Sequence, residues 1–216
     1  MNPGTKIKIV YCTWSKFKIE EWDAARDRID CPGRPGNKLA DVFDIVFRPA
    51  ETREPLLCDL EEMVKAKAES AYRALKVPCV VEHAGLILAG HEAQSYPGGL
   101  TQPMWDALGA ENFARACEPL GLGAIARAVI GYCDGMSLRT FIGDTRGTIS
   151  PIPRGDRKFY WDTVFCPDEF NGKTYAEVVS TSADGLASKI TASQSIKALT
   201  AFLEFRLSHE PSLFLV

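Results

Sequence analysis

A long β-hairpin followed by a polar loop is the feature that most restricts how this chain can fold. Ala128–Pro167 contains two apolar, β-branched runs joined by Asp134-Gly135, a dipeptide typical of tight hairpin turns. The loop that follows contains prolines, glycines and basic residues, and it ends in Phe159-Tyr160-Trp161 and Asp162. Such a loop is typical of a site for a ligand with phosphates and a flat ring. The alternative is a basic surface loop whose tryptophan is anchored in the core.

Composition narrows the classes of function that remain open. The chain has 216 residues, 46% of them hydrophobic, and we expect residues 1–216 to form a single domain around a substantial core. The formal net charge is 25 − 28 = −3, so a nucleic acid is not expected as the main partner. No apolar run is long enough for a membrane span, and no signal peptide is recognised.

Cysteine usage indicates a reducing compartment. The seven cysteines are an odd number without CxxC spacing, and several lie in strand-like apolar runs. This pattern is typical of reduced, buried thiols rather than of a disulfide framework or a zinc site. We therefore expect a cytoplasmic protein.

The order of apolar segments predicts alternating strands and helices before the hairpin. A strand is expected at Lys6–Thr13, a helix at Lys16–Ile29, a strand at Asp41–Arg48 and a long helix at Asp59–Lys76. The further expected segments are a strand at Pro78–His83 with an apolar run at Leu86–Ala89, short helices at Met104–Leu108 and Glu111–Leu120, an extended piece at Thr174–Val178, a loop at Asp184–Lys189 and a closing helix at Thr191–Leu207.

The turn between the first strand and the first helix is a candidate anion site. Thr13, Ser15, Lys16 and Lys18 lie where free backbone N–H groups and the helix dipole would face a bound phosphate. The alternative is that Ser15 only caps the helix and that the lysines are solvated.

A charged pair, Glu82-His83, ends a short apolar strand. Ligands of α/β sheets collect at the carboxyl ends of strands, and carboxylate oxygen and imidazole nitrogen both bind divalent metals. With Glu51 and Glu54 upstream, the pair is a candidate metal site. The alternative is that His83 is a structural histidine.

Motifs spread from Lys6 to Leu207 resemble, in order, those of the Ham1 / inosine triphosphate pyrophosphatase family. The segment Thr13–Glu21 is similar to the family's T-x-N-x-x-K…E signature, and Glu82–Leu86 is similar to its E/D-D-[ST]-x-L motif. Arg154-Gly155 with Phe159–Phe165 resembles R-G…F-G-[WY]-D-P-x-F, and Thr174–Glu177 resembles T-x-A-E.

This resemblance implies an α/β fold with an elongated mixed β-sheet, flanking helices and two lobes around a central cleft. It implies a homodimer that hydrolyses a non-canonical purine nucleoside triphosphate at the α-phosphorus, giving the monophosphate and pyrophosphate. The implied cofactor is Mg²⁺, with Mn²⁺ as a possible substitute. From the net charge and the lengths of the apolar runs, neither a nucleic-acid partner nor membrane association is expected.

The resemblance also implies roles for particular residues of this chain. The implied catalytic residues are Glu82, His83 and Lys18. The implied metal ligands are Glu54, Glu82 and His83, with Glu51 as the weaker choice for the upstream carboxylate. The implied substrate-binding residues are Thr13, Ser15, Lys18, Arg154, Phe159, Tyr160, Trp161, Asp162, Lys189, Gln194 and Ser195.

Four departures from the family pattern fall within this implied site. Ser15 replaces an asparagine, His83 replaces an aspartate, Tyr160 replaces a glycine, and Gln194-Ser195 replace a histidine and an arginine. Losing the aspartate weakens a Mg²⁺ site, while an imidazole can still act as a base. Losing the arginine removes a bidentate donor, which predicts altered base specificity.

Three hypotheses follow from these patterns. The first is a divergent, metal-dependent nucleoside triphosphate pyrophosphohydrolase with altered base specificity. The second is a catalytically impaired nucleotide-binding or regulatory protein on the same scaffold. The third is a structural dimer with a vestigial pocket.

Overall fold

The fold is described from a computed structural model that covers residues 6–156 and 159–211. Its strands are β1 (Ile7–Tyr11), β2 (Phe43–Phe47), β3 (Cys79–Leu88), β4 (Gly123–Cys133), β5 (Leu138–Ile149) and β6 (Phe165–Pro167). Its helices are α1 (Lys16–Ala25), α2 (Leu39–Val42), α3 (Leu60–Leu75), α4 (Thr101–Cys117), α5 (Tyr175–Thr181), α6 (Leu186–Ile190) and α7 (Gln194–Ser208). None of the helices in these two ranges has the length and apolarity that a membrane crossing requires.

The six strands form one mixed sheet in the order β2-β1-β3-β4-β5-β6. β1 pairs in parallel with β2 and with β3, because helical crossovers separate these three strands along the chain. The remaining neighbours pair antiparallel. The predicted mixed α/β sheet with flanking helices is therefore confirmed.

The predicted hairpin joins β4 to β5 at Asp134-Gly135. The Asp134 carboxylate accepts hydrogen bonds from the backbone N–H groups of Met136 and Ser137, at 2.9 and 2.6 Å. Gly135 has a φ of 92°, a conformation that a residue with a Cβ rarely adopts. Local side-chain chemistry thus closes the turn where the sequence indicated it.

The two faces of the sheet pack against different helices. In β4, Ala128, Ile130 and Tyr132 belong to a core cluster that includes residues of α7, whereas Val129 and Cys133 belong to one that includes residues of α3. Successive side chains of a strand point to opposite faces, so this alternation places α3 and α7 on opposite sides. By the same rule, neighbouring residues of β3 such as Glu82 and His83 point to opposite faces of the sheet.

β3 extends beyond the end of β1, and this difference in length creates the site. Tyr11, the last residue of β1, lies opposite Val80, so β3 continues from Val81 to Leu88 without β1 beside it. The turn after β1 and the first turn of α1 lie against this free edge. Glu82 and His83 are the next polar residues of β3.

Two segments near the carboxyl end differ from the sequence-based expectation. Thr174–Val178 was expected to be extended, but α5 begins there because Thr174 and Glu177 form a capping box. The expected loop Asp184–Lys189 contains most of α6, which begins after Gly185. In both places a local start signal was overlooked because the helices are short and weakly periodic.

Other boundaries also move. The runs Pro78–His83 and Leu86–Ala89 form the single strand β3, and the two expected short helices form α4, with non-helical dihedral angles at Gly109. The first helix ends at Ala25 rather than at Ile29. Arg157 and Lys158, two of the basic residues expected in the loop before Phe159, lie outside the described residues.

Candidate active site

A cavity of about 450 Å³ opens at the free edge of β3. The residues that line it come from the turn after β1, the start of α1, the segment 50–54, α3, β3, the loop before β6 and the start of α7. Most of the residues predicted from the sequence meet here. They are Thr13, Ser15, Lys18, Glu54, Glu82, His83, Phe159, Tyr160, Trp161, Asp162, Gln194 and Ser195.

Glu82 anchors the face of the cavity that lies toward α7. Its side chain is 4% exposed and accepts hydrogen bonds from the hydroxyl of Tyr11 and from Oγ of Ser195, the latter at 2.9 Å. Lys18 Nζ lies 3.4 Å from Oε1. Burial alone would raise the pKa of Glu82, but the charge of Lys18 and the donated hydrogen bonds outweigh burial and lower that pKa. Glu82 is therefore an ionised carboxylate whose oxygens are engaged within the protein.

His83 and Glu54 occupy the opposite face, toward α3. His83 is 6% exposed, and its Nδ1 lies 3.3 Å from Oε2 of Glu54. Lys67 Nζ, from α3, lies 2.8 Å from Oε1 of the same carboxylate. The hydrogen bond from His83 and the charge of Lys67 hold the pKa of Glu54 well below its usual range, against the opposing effect of burial. Burial lowers the pKa of His83, and the nearby Lys67 and Lys18 lower it further.

The two lysines converge on one backbone atom. Lys18 and Lys67 each donate a hydrogen bond to the carbonyl oxygen of Glu82, both at 3.0 Å. This carbonyl is available because β1 ends before it and leaves that edge of β3 without a strand partner. Two cations from α1 and α3 are thereby fixed side by side in the cavity lining.

A third lysine, Lys189, is buried behind the cavity wall. Lys189 is 1% exposed and does not line the cavity. Its Nζ lies 2.7 Å from Glu21 and 2.7 Å from Asp162. Burial would lower the pKa of Lys189, but the two carboxylates outweigh burial and raise it. Lys189 thus joins α1 to the loop that carries Asp162, and a direct contact with a ligand is not what its position favours.

Aromatic rings form another part of the cavity lining. The rings of Phe17 and Phe159 stack with centroids 4.4 Å apart, and Tyr160 packs against Phe159 at 5.2 Å. Tyr160 has a φ of 44°, in the left-handed region that a bulky residue rarely adopts, and Gln102 Nε2 donates a hydrogen bond to its hydroxyl at 2.9 Å. Trp161 is buried in the core with one side at the cavity, so both sequence interpretations of this loop describe part of it.

Gln194 and Ser195 present their side chains at the start of α7. Tyr175 donates a hydrogen bond from its hydroxyl to Oε1 of Gln194 at 3.0 Å, which fixes the amide. Gly143 of β5 allows this close approach, because a Cβ at that position would collide with the carbonyl oxygen of Gln194. The position that the family pattern assigns to an arginine is therefore occupied by a serine bound to Glu82.

Arg154 does not line the cavity, although the sequence predicted that it binds substrate. Its guanidinium lies 3.0 Å from Glu177 and donates to Oγ of Ser150 at 2.8 Å and to the carbonyl oxygen of Gly172. These contacts tie the loop before β6 to α5. The position of Arg154 supports a structural role.

The predicted metal ligands Glu54, Glu82 and His83 do not form one cluster, because Glu54 and His83 are in contact but Glu82 does not join them. Within residues 6–156 and 159–211, no group of three or more His, Cys, Asp or Glu side chains could hold an ion. The physical reason is that Glu82 and His83 are adjacent in a strand and point to opposite faces. Both Glu54 oxygens are also engaged, one by Lys67 and one by His83. These residues do not fit a preformed site for Mg²⁺ or Mn²⁺.

Two residues of the site received no role from the sequence, although Glu21 lies within the segment that resembles the first family motif. Lys67 lies seven residues after Leu60, on the apolar stripe of α3, and a charged residue on a buried helix face is a signal that could have identified it. Glu21 is buried with Lys189, 168 positions away, and no local pattern indicates that pairing.

Glu54 lines the cavity and Glu51 does not, which supports the choice of Glu54 as the upstream carboxylate of the site.

The fold and the cavity together define a class: an α/β protein with a mixed six-stranded sheet and a cleft lined by lysines and by aromatic rings. The chain belongs to the Ham1 family, whose model matches residues 9–205.

Known proteins similar to this chain agree with that assignment. A dITP/XTP pyrophosphatase of Saccharolobus solfataricus is 30% identical over 152 residues, which is 70% of this chain and 74% of that protein. An inosine triphosphate pyrophosphatase of Kluyveromyces lactis is 33% identical over 144 residues, 64% of this chain and 73% of that protein. The structure of a HAM1 protein from Coxiella burnetii matches with a TM-score of 0.63 at 20% identity, covering 91% of this chain and 98% of that one. The last comparison concerns the fold alone.

Proposed function

We propose that the protein hydrolyses a non-canonical purine nucleoside triphosphate at the α-phosphorus to release pyrophosphate and the nucleoside monophosphate. The observation that carries this proposal is the combination of cationic and aromatic side chains in one cavity. Lys18 and Lys67 share the Glu82 carbonyl, and Phe17, Phe159 and Tyr160 line the same cavity. A triphosphate joined to a flat base matches that arrangement.

The proposed phosphate site, at the turn after β1 and the start of α1, combines side-chain and backbone hydrogen-bond donors. Ser15 is the N-cap of α1, but its side chain makes no capping hydrogen bond, and Thr13, Ser15 and Lys16 all line the cavity. The N-terminal turn of α1 would face the phosphates with its N–H groups, and the helix dipole favours an anion there. Lys18 would neutralise part of the phosphate charge, and Glu82 would hold that lysine in place.

Three side chains, those of Gln194, Ser195 and Tyr160, support an altered specificity for the base of the nucleotide. Gln194 can donate from its amide nitrogen while its oxygen is held by Tyr175. Ser195, which donates a hydrogen bond to Glu82, lacks the guanidinium that the arginine of the family pattern would offer to the base. Tyr160 adds an aromatic ring where the family pattern has glycine. These three residues would select a base whose edge offers an acceptor to Gln194.

Three further proposals accompany this function, of which the homodimer rests on the family resemblance. The divalent cation would arrive as part of the nucleotide complex, since the described residues do not fit a resident ion. The protein would act as a homodimer. It would be cytoplasmic, in keeping with seven cysteines that are all free.

The test is pyrophosphate release from a panel of canonical and modified ribo- and deoxyribonucleoside triphosphates, each as the Mg²⁺ and the Mn²⁺ complex. Calorimetry with an α,β-methylene triphosphate measures binding separately from hydrolysis. Release of pyrophosphate from one or a few nucleotides is the expected result. Binding without release from any nucleotide would instead favour a catalytically impaired nucleotide-binding protein. That alternative is motivated by the engaged carboxylates of Glu54 and Glu82.

A further inference from the structure

The two ring nitrogens of His83 differ, since Nδ1 contacts Glu54 and Nε2 has no partner among the described residues. Nδ1 lies 3.3 Å from the Glu54 carboxylate. Nε2 is buried and makes no hydrogen bond to any described residue. Because the carboxylate accepts, Nδ1 carries the proton and Nε2 carries a lone pair. Buried polar atoms are nearly always hydrogen-bonded, so Nε2 lacks a partner that a bound water could supply, and His83 is among the residues that line the cavity.

Glu54 is itself held on its other oxygen. Lys67 Nζ lies 2.8 Å from Oε1 and also donates to the carbonyl oxygen of Glu82, the backbone atom that precedes His83. The carboxylate therefore cannot swing away from the ring without breaking an ion pair. Carboxylate, imidazole and lysine form a fixed arrangement on one face of β3, beside Lys18.

We propose that Glu54 and His83 form a carboxylate–imidazole dyad that activates the attacking water, with His83 Nε2 as the proton acceptor and Glu54 as a positioning residue. This inference rests on the proposed hydrolysis at the α-phosphorus. It assigns to a histidine pair the task that the family pattern gives to an acidic residue at position 83. It also explains why one oxygen of the Glu54 carboxylate contacts Nδ1 of His83 and is not available to an ion.

The step balances as a hydrolysis. The water oxygen forms a bond to the α-phosphorus while one water proton moves to His83 Nε2. The bond from the α-phosphorus to the oxygen that bridges to the β-phosphorus breaks, and its electron pair leaves with pyrophosphate. The imidazolium, stabilised by Glu54, then releases the proton to solvent, which restores the neutral ring.

Nitrogen-15 NMR tests the arrangement without any turnover. The chain contains three histidines, so histidine-labelled protein gives few signals, and His83→Asn identifies those of residue 83. We expect a protonated Nδ1 and an unprotonated Nε2. Glu54→Gln should shift the His83 ring signals, whereas the exposed α3 substitution Glu62→Gln should leave them unchanged. A ring protonated at Nε2, or signals unaffected by Glu54→Gln, would overturn the dyad.

Kinetics tests its role. His83→Gln should lower kcat by about 10²- to 10⁴-fold. Its affinity for the α,β-methylene triphosphate should stay within about threefold, since the change removes no phosphate contact. Glu54→Gln should lower kcat by about tenfold with a smaller change in KM. Added imidazole should restore part of the activity of His83→Ala in a saturable way. Circular dichroism establishes that each variant is folded.

His83→Asp decides between a base and a weakened metal site. The dyad predicts a loss of turnover with either cation, because a shorter carboxylate opposite Glu54 cannot replace the ring. A rise in Mg²⁺-dependent turnover would overturn the dyad. A His83→Gln variant with wild-type kcat would overturn the dyad alone and leave the proposed function standing. Wild-type protein that binds the analogue but hydrolyses no nucleotide would overturn the proposed function together with the dyad.

Discussion

Lys189 brings a full charge into the interior, and carboxylates from two other parts of the chain hold it there. Its Nζ lies 2.7 Å from both Glu21 in α1 and Asp162 in the loop before β6. A buried charge is tolerated only when it is paired, so each member of this triad depends on the others. The contact positions Asp162, and with it the aromatic residues that precede it, relative to α1.

Replacing Lys189 with methionine should therefore destabilise the protein strongly. The substitution removes the lysine cation that lies between two buried carboxylates, and we expect a loss of about 3–5 kcal/mol in the free energy of unfolding. Urea unfolding measures the change, with Lys173→Met at an exposed position as the matched control. A loss below about 1 kcal/mol would contradict the triad's role.

Lys18 differs from Lys189 because it lines the cavity. Lys18→Met should raise KM for the preferred triphosphate by about tenfold, which corresponds to about 1.4 kcal/mol of lost binding. Lys8→Met, at an exposed position of β1, should change KM by less than about twofold. Steady-state kinetics over a range of nucleotide concentrations provides the measurement. An unchanged KM in Lys18→Met would show that the phosphates bind elsewhere.

At the scale of elements, the unequal lengths of β1 and β3 make the site. β1 ends at Tyr11, and the exposed edge of β3 offers the carbonyl of Glu82 to lysines from two helices on opposite faces. The alternation of strand side chains then assigns Glu82 to one face and His83 to the other. The loop before β6 completes the cavity. The contacts of Arg154 hold this loop against α5.

The Arg154 contacts predict a structural phenotype. Arg154→Met should lower the free energy of unfolding by about 2 kcal/mol, because charged hydrogen bonds to Glu177 and to two other acceptors are lost. KM for the nucleotide should stay within about twofold. Arg146→Met, exposed on β5, serves as the control for both measurements. A large rise in KM with unchanged stability would return Arg154 to the substrate site.

The motifs of the sequence identified most of the elements and most of the cavity residues. The hairpin, β1, α3 and α7 follow from periodicity and turn chemistry, which are local properties. The short helices α5 and α6 were not predicted, although the capping box of Thr174 and Glu177 was present in the sequence. The pairings of Lys189 with Glu21 and of Glu54 with His83 join distant segments, and no local pattern encodes them.

For the whole molecule, the sheet separates two charge networks that share one strand. Glu82, Lys18, Tyr11 and Ser195 lie toward α7, and His83, Glu54 and Lys67 lie toward α3. Both carboxylates have a pKa that the fold lowers. In the pH window between the lowered pKa and the ordinary glutamate pKa of about 4.3, the unfolded chain binds protons that the folded protein does not.

Stability should consequently fall as the pH drops through and below that ordinary value. The variant Glu82→Gln should be less stable than wild type at pH 7, because Lys18 loses its buried partner, and its stability should depend less on pH between about 5 and 3. Urea unfolding at several pH values measures both effects. Glu111→Gln, at an exposed position of α4, is the control. Parallel pH profiles for wild type and Glu82→Gln would contradict the assigned ion pair.

The central claim is attack of water on the α-phosphorus, and hydrolysis in H₂¹⁸O tests it most directly. The protein is incubated with the preferred nucleoside triphosphate, and both products are analysed by mass spectrometry. We expect one ¹⁸O atom in the nucleoside monophosphate and none in pyrophosphate. Label in pyrophosphate, or release of orthophosphate in its place, would contradict the account.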